Sequence, residues 1–176
     1  MSEIFPALTS TTSADAKPGS IIRLLHSGAL LYALVTKSDS PSEQGASFVL
    51  LNARFNDPPV LFVDKWRAES CLSYAGLTLF ELPTDDKWVD PRGSEWWDTA
   101  GVIVLIADQF YIRTSKRDVR GIHPIYPLVN IRTGDIFSGH PPTEIWTFGT
   151  WRLCLKRDHR EIELCNFSAP ALKRRG

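Results

Sequence analysis

Residues 20–35 read SIIRLLHSGALLYALV, and this stretch indicates the fold class. Two runs rich in apolar residues, Ile21–Leu25 with Arg23 at its centre and Ala29–Val35, are separated by the break Ser27-Gly28. A short glycine-containing break between two such runs is typical of a β-hairpin. A later run, Val102–Ile106, is apolar throughout, which is typical of a strand that is buried on both faces.

Similar short runs follow along the chain, with few helical patterns between them. They are Phe48–Leu51, Val60–Val63, Leu77–Leu82, Val102–Ile106, Phe110–Arg113, Leu128–Ile131 and Ile136–Phe137. Twelve prolines stand mostly at the joints. The segment Trp66–Tyr74 is the best candidate for a helical turn. The sequence predicts an all-β or β-dominated α+β fold, as a single barrel or sandwich of mostly antiparallel strands with a long Trp-rich loop.

The last hairpin can be predicted at the level of its register. Strand alternation places Leu153 and Leu155 on the core face and Arg152 and Lys156 on the other. The expected pairs are Leu155 with Ile162, Leu153 with Leu164 and Lys156 with Glu161, which leaves Arg157–Arg160 as a four-residue loop. This register keeps Cys154 and Cys165 apart, so no disulfide is expected.

The length of 176 residues predicts a single domain with terminal extensions. We expect a flexible N-terminal arm over residues 1–17, a β-rich globular domain over 18–167 and a basic C-terminal tail over 168–176. Twenty basic and twenty acidic residues balance to a net charge of zero, which argues against a protein that binds polyanions over its whole surface.

The compartment is predicted from the cysteines and the N-terminus. Three cysteines form no CxxC pair, and residues 1–17 lack the basic and apolar regions of a signal peptide. No apolar run approaches the roughly 18 residues of a membrane span. We therefore expect a cytoplasmic protein with no membrane partner.

A tryptophan-rich acidic segment, DDKWVDPRGSEWWD at residues 85–98, is the most unusual feature. Tryptophan offers a large rigid contact surface and is enriched at binding hot spots. The residues predicted to contact a protein partner are Trp88, Asp90, Arg92, Trp96 and Trp97. In the competing interpretation, the segment folds back and its tryptophans plug an open end of the barrel.

Charge is unevenly distributed along the chain. Residues 1–112 hold eight basic and fourteen acidic residues, a net of −6, whereas residues 113–176 hold twelve and six, a net of +6. The residues that could form a phosphate-binding patch are Arg113, Lys116, Arg117, Arg120, Arg157 and Arg160. Alternatively, the two halves fold together and neutralise each other.

Motifs of the common enzyme classes are missing from the sequence. There is no GxSxG elbow, P-loop or GxGxxG, and the four histidines are not spaced as metal ligands. Catalytic residues are therefore not assigned, and no metal or cofactor is predicted. We expect a non-enzymatic interaction or accessory protein. The alternatives are an RNA- or nucleotide-directed protein, such as a nuclease, and a small-molecule binding barrel.

Two short segments suggest a family comparison. Pro18–Ile22, followed by Ser42–Gly45, resembles the opening strand and Ser-Glu-Gln loop of the small barrel toxins that cleave RNA, the MazF and PemK-like group. The resemblance covers under a fifth of the chain. The run Leu30–Val35 intervenes and the Arg-Pro that usually follows the loop is missing, so no catalytic role is transferred to this chain.

Replacing Trp96 and Trp97 by alanine distinguishes the two interpretations of the Trp-rich segment. If the indoles contact a partner, the melting temperature stays nearly unchanged and binding is lost, since each anchor contributes about 2 kcal/mol or more. If they plug the core, each replacement costs about 3 to 5 kcal/mol of stability. We expect the first result, and a large fall in melting temperature would contradict it.

Overall fold

The computed structural model is all-β over the residues it describes. These are residues 9–12, 15–26, 28–37, 47–52, 59–63, 70–74, 78–83, 89–90, 99–115, 127–137, 145–157 and 160–169. No helix occurs within these ranges, and every strand pair is antiparallel. The prediction of an all-β domain is therefore confirmed. None of the described segments forms a helix long and apolar enough to cross a bilayer.

The strands are numbered in chain order. They are β1 (Thr9–Thr12), β2 (Ile21–His26), β3 (Ala29–Thr36), β4 (Ser47–Leu50), β5 (Val60–Val63), β6 (Ser70–Ser73), β7 (Thr78–Glu81), β8 (Val89–Asp90), β9 (Ile103–Ile106), β10 (Gln109–Arg113), β11 (Leu128–Asn130), β12 (Trp146–Phe148), β13 (Thr150–Arg157) and β14 (Arg160–Ser168).

These strands form three sheets. The six-stranded sheet has the order β1-β6-β2-β3-β4-β5, the five-stranded sheet β11-β10-β9-β12-β8, and the three-stranded sheet β14-β13-β7. The first two sheets join strands that are distant in sequence, such as β1 with β6 and β9 with β12.

Three expectations about local structure are corrected. The helical turn predicted within Trp66–Tyr74 is wrong where the structure describes it, because Ser70–Ser73 form β6 and pair with β1 and β2. Thr9–Thr12, placed in the flexible arm, form β1. Val89–Asp90, placed in the Trp-rich loop, form β8 against β12. All three are short segments that gain their hydrogen bonds from distant strands.

The β2–β3 hairpin is confirmed, with Ile21 opposite Leu34 and His26 opposite Ala29. Away from its turn, this hairpin is buried on both faces. Leu34 belongs to a central core shared with the other two sheets, whereas Ala33 belongs to a second core on the opposite face of the six-stranded sheet. This two-sided burial explains why β3 is apolar along most of its length.

The central core joins the three sheets. Its buried residues come from all three sheets: Ile21, Leu34, Val49, Leu51 and Tyr74; Ile103, Ile112 and Val129; and Trp151, Leu153 and Leu155. A third core lies on the other face of the five-stranded sheet and includes Val102, Val104 and Ile106.

Among the described residues, Trp151 is the largest fully buried side chain, and it connects two sheets. Its indole N–H donates to the carbonyl oxygen of Gly101 at 2.6 Å, which joins β13 to the segment that leads into β9. Phe167 stacks on the indole with a centroid distance of 5.9 Å, and Phe80 packs edge-on at 5.3 Å. Gly101 has φ +97°, and a Cβ there would collide with the Phe167 ring.

The final hairpin confirms most of the predicted register. Leu155 lies opposite Ile162 and Lys156 opposite Glu161. Arg157 and Arg160 also pair, so the ladder extends one pair into the predicted four-residue loop. The expected pair of Leu153 with Leu164 is wrong, because a β-bulge between Leu153 and Cys154 shifts the register and places Cys165 opposite Leu153.

Replacing Trp151 by phenylalanine should lower the free energy of unfolding by about 2 to 4 kcal/mol. The change removes packed volume and leaves the buried Gly101 carbonyl without its donor. Trp146 is the matched control because its side chain is 49% exposed, so Trp146→Phe should change stability by less than about 0.5 kcal/mol. Equal midpoints for the two variants in urea denaturation would show that the Trp151 contact does not stabilise the fold.

Candidate functional site

A groove of about 960 Å³ lies where the three sheets meet. Four segments line it: Lys17–Ile21 at the start of β2, Thr78–Phe80 of β7 together with Leu82, Asp108–Phe110 at the start of β10, and Asn130–Thr133 at the end of β11. Its lining combines apolar side chains with exposed polar and charged ones. Concave surfaces of this size and mixed character are typical of ligand sites.

One wall depends on a close contact between two glycine-containing turns. Gly19 N donates to the carbonyl oxygen of Val35 at 2.8 Å, and Lys37 N donates to that of Gly134 at 2.9 Å. Both glycines have positive φ, +81° at Gly19 and +73° at Gly134. A Cβ at Gly19 would collide with the backbone of Arg132, and one at Gly134 with the Val35 carbonyl oxygen. The two sheets can approach this closely only because both residues are glycine.

Asn130 holds the neighbouring turn in place. Its Oδ1 atom accepts hydrogen bonds from the backbone N–H groups of Arg132 at 2.9 Å and Thr133 at 3.0 Å. Its Nδ2 atom donates to Gln109 Oε1 at 2.9 Å, and Gln109 Oε1 also accepts from the Tyr111 hydroxyl at 2.9 Å. The groove wall formed by β10 and β11 is therefore held by side-chain hydrogen bonds within the groove's own lining.

The β9–β10 turn carries backbone strain beside the groove. Ile106 pairs with Gln109, so the two turn residues are Ala107 and Asp108, with φ values of +46° and +63°. Such two-residue turns favour Asn-Gly, and alanine in the left-handed region costs about 1 kcal/mol. The strain positions the exposed Asp108 side chain at the edge of the groove.

The opposite wall is β7, an edge strand. It pairs with β13 from Thr78 opposite Leu155 to Glu81 opposite Arg152, and among the described strands it has no second neighbour. In an antiparallel strand, alternate residues direct their N–H and C=O groups away from the partner. About half of the β7 backbone groups therefore face the free edge. Leu79, which also lines the groove, is 41% exposed.

Two cations line the groove without an ion pair. Lys17 and Arg132 are exposed, and neither forms a salt bridge within the part of the chain that the structure describes. Other cations nearby are paired. Lys37 binds Asp135 at 2.5 Å, and Arg152 binds Glu81 at 2.5 Å.

A second cluster lies on the outer face of the three-stranded sheet. Ligand atoms of Glu81, Cys154 and Glu161 all lie within 4.8 Å of one another, a spacing that could hold a metal ion. Arg152 already forms ion pairs with both carboxylates, at 2.5 and 3.5 Å. Burial raises the pKa of the Cys154 thiol to about 12, helped by its hydrogen bond to Glu161. A metal would have to displace the guanidinium and deprotonate this thiol, so we do not assign a metal centre here.

The other two thiols are also shifted toward the protonated form. Burial raises the pKa of Cys165 to about 12 and also raises the pKa of Cys71. Since the thiolate is the nucleophile, these groups are poorly suited to covalent catalysis at neutral pH.

The residues predicted to contact a protein partner fall largely outside the described ranges. Trp88, Arg92, Trp96 and Trp97 are not described. Asp90 belongs to β8, and its backbone pairs with Thr147. The structure therefore neither brings these residues together nor separates them, and their role stays a prediction.

The predicted phosphate-binding residues are placed only in part. Arg113 is 4% exposed at the end of β10, so it does not contribute to a surface patch. Arg157 and Arg160 pair through their backbones at the end of the β13–β14 ladder. Lys116, Arg117 and Arg120 lie outside the described ranges.

Sequence reasoning missed the groove. Its lining comes from four segments that are far apart in the chain, and none of them carries a motif. The only local signals are two glycines, Gly19 directly after Pro18 and Gly134 between Thr133 and Asp135.

Comparison with known proteins gives no family assignment. No protein-family model, no curated protein and no solved structure matches this chain. The function proposed below rests on the geometry of the groove.

Substitution of Gly134 by alanine tests the wall of the groove. Gly28 is the matched control, because it has a similar φ of +78° but open space, to 4 Å, around the position that a Cβ would take. Gly28→Ala should cost about 1 kcal/mol of unfolding free energy through its φ alone. Gly134→Ala should cost about 2 kcal/mol or more, because the added methyl group meets the Val35 carbonyl. Equal losses in thermal or chemical denaturation would show that the two sheets do not make this contact.

Proposed function

We propose that this protein is a binding module that captures an extended segment of a partner protein along the free edge of β7. The single observation that supports the proposal is that this edge forms a wall of the 960 Å³ groove. The proposal keeps the predicted class, a non-enzymatic interaction protein in the cytoplasm, and adds a second contact site to the Trp-rich segment.

Backbone pairing would supply a large part of the affinity. An exposed sheet edge offers a row of N–H and C=O groups that an extended peptide can satisfy by adding a strand. The four residues of β7 provide an edge of about 13 Å at the usual rise per residue. This pairing requires no particular sequence in the incoming segment.

Side-chain contacts would supply the selectivity. Phe80, Phe110 and Ile131 line the groove and are partly buried against the central core. Because side chains of an extended strand alternate between two faces, every second residue of the incoming segment would contact this apolar lining. A segment with apolar residues at alternate positions fits best.

Backbone pairing can be tested with N-methylated peptides. The parent is a labelled eight-residue peptide in which valine alternates with threonine, and its two isomers carry N-methyl groups on all valines or on all threonines. In an extended peptide, alternate N–H groups point to opposite edges, so each isomer lacks the N–H donors along one of its two edges. Because β7 fixes the orientation of the added strand, the affinities of the two isomers, measured by fluorescence anisotropy, should differ at least tenfold. Equal binding of both isomers at the affinity of the parent would contradict strand addition.

The location is tested with two exposed residues of the same sheet. Leu79 lines the groove at 41% exposure, whereas Ile162 on β14 is 47% exposed and lies outside the lining. Leu79→Glu should weaken binding of the parent peptide about tenfold, since it removes an apolar contact of about 1.4 kcal/mol. Ile162→Glu should leave binding unchanged, and equal losses for the two variants would place the site elsewhere.

A further inference from the structure

We infer that the segment bound in this groove is acidic. The inference rests on the proposed function and adds the charge of the ligand. Lys17 and Arg132 are exposed in the lining and form no ion pair with any described residue, whereas Asp108 is the lining's one carboxylate. The net charge of the lining is therefore +1, with both cations available to a ligand.

The two cations stand on backbone segments that are fixed relative to each other. The carbonyl oxygen of Lys17 accepts from Ser20 N at 3.0 Å, which closes the turn that precedes β2. The N–H of Arg132 is held by Asn130 at 2.9 Å, and the Arg132 carbonyl lies against Gly19. Both side chains thus start from hydrogen-bonded turns that meet at the Gly19–Gly134 contact. Preorganisation of this kind reduces the entropy lost when a ligand binds.

Among the exposed cations whose side chains the structure describes, the three other than Lys17 and Arg132 are paired. Lys37, which directly follows β3, is neutralised by Asp135. On the outer face of the three-stranded sheet, Arg152 and Lys156 share Glu81. The net charge of the chain is zero, and the paired cations are neutralised locally. Lys17 and Arg132 therefore form a positive surface beside an apolar lining. Such a surface complements a segment that alternates apolar and acidic residues.

Charge selectivity is measured with three labelled nine-residue peptides. Valine alternates with threonine, glutamate or lysine in the three sequences, and binding is followed by anisotropy at low and moderate salt. At low salt, the glutamate peptide should bind about tenfold more tightly than the lysine peptide. Each of the two exposed ion pairs, with Lys17 and with Arg132, changes the affinity by a small factor. The difference should shrink as salt rises.

Variants assign the selectivity to the groove. The double variant Lys17→Gln with Arg132→Gln should reduce the difference between the glutamate and lysine peptides to about twofold, with the threonine peptide unaffected. Lys156→Gln is the matched control, because it removes the charge of an exposed lysine outside the lining and should keep the tenfold difference.

The outcomes separate this inference from the proposed function. If the threonine peptide binds at β7 but the glutamate and lysine peptides bind equally, the ligand is not selected for acidity and the proposed function stands. If no peptide binds, both fail. A labelled ten-nucleotide polyuridine that binds through Lys17 and Arg132, while the glutamate peptide does not, would overturn the inference in favour of a nucleic-acid ligand.

Discussion

The hydrogen bond from the Trp151 indole to the Gly101 carbonyl joins two sheets at a point that water does not reach. It lets a large polar-tipped ring occupy the middle of the central core, because the N–H has a partner there. Phe80 packs edge-on against the same ring, so β7 is held in place by this core. The position of β7, which forms a wall of the groove, therefore depends on the hydrogen bond between Trp151 and Gly101, although neither residue lines the groove.

Backbone features that deviate from ordinary strand geometry gather around the groove. Gly19 and Gly134 allow two turns to touch, and Ala107 adopts a left-handed conformation next to Asp108. Strain of this kind persists only where the surrounding structure holds it, and it is often found at functional sites. The three cores supply that support, because both faces of the six-stranded and five-stranded sheets are packed.

Local patterns predicted the hairpins well. The β2–β3 pair and the pairing of Lys156 with Glu161 follow from alternation and from short connections, in which neighbouring strands meet without help from the rest of the chain. The bulge at Leu153 was missed, because the expected register continues the alternation of Ile162 and Leu164 to Cys165, whereas one extra residue reverses that alternation. The four residues of β6 were assigned to a helical turn, because so short a segment has no clear period and its partner, β1, lies far away in sequence.

The sequence by itself determined the all-β class, the hairpins and the two-sided burial of β9, because each of these follows from side-chain period and turn residues within a short window. Only the tertiary structure decided the order of strands in the sheets, the burial of Arg113 and the edge of β7, beside Lys17 and Arg132, that no described strand pairs with. These features depend on which distant strands pair, and that choice is made by the packing of all three sheets together. The candidate site was therefore invisible to local reasoning, since its four segments meet only when the sheets have closed around the central core.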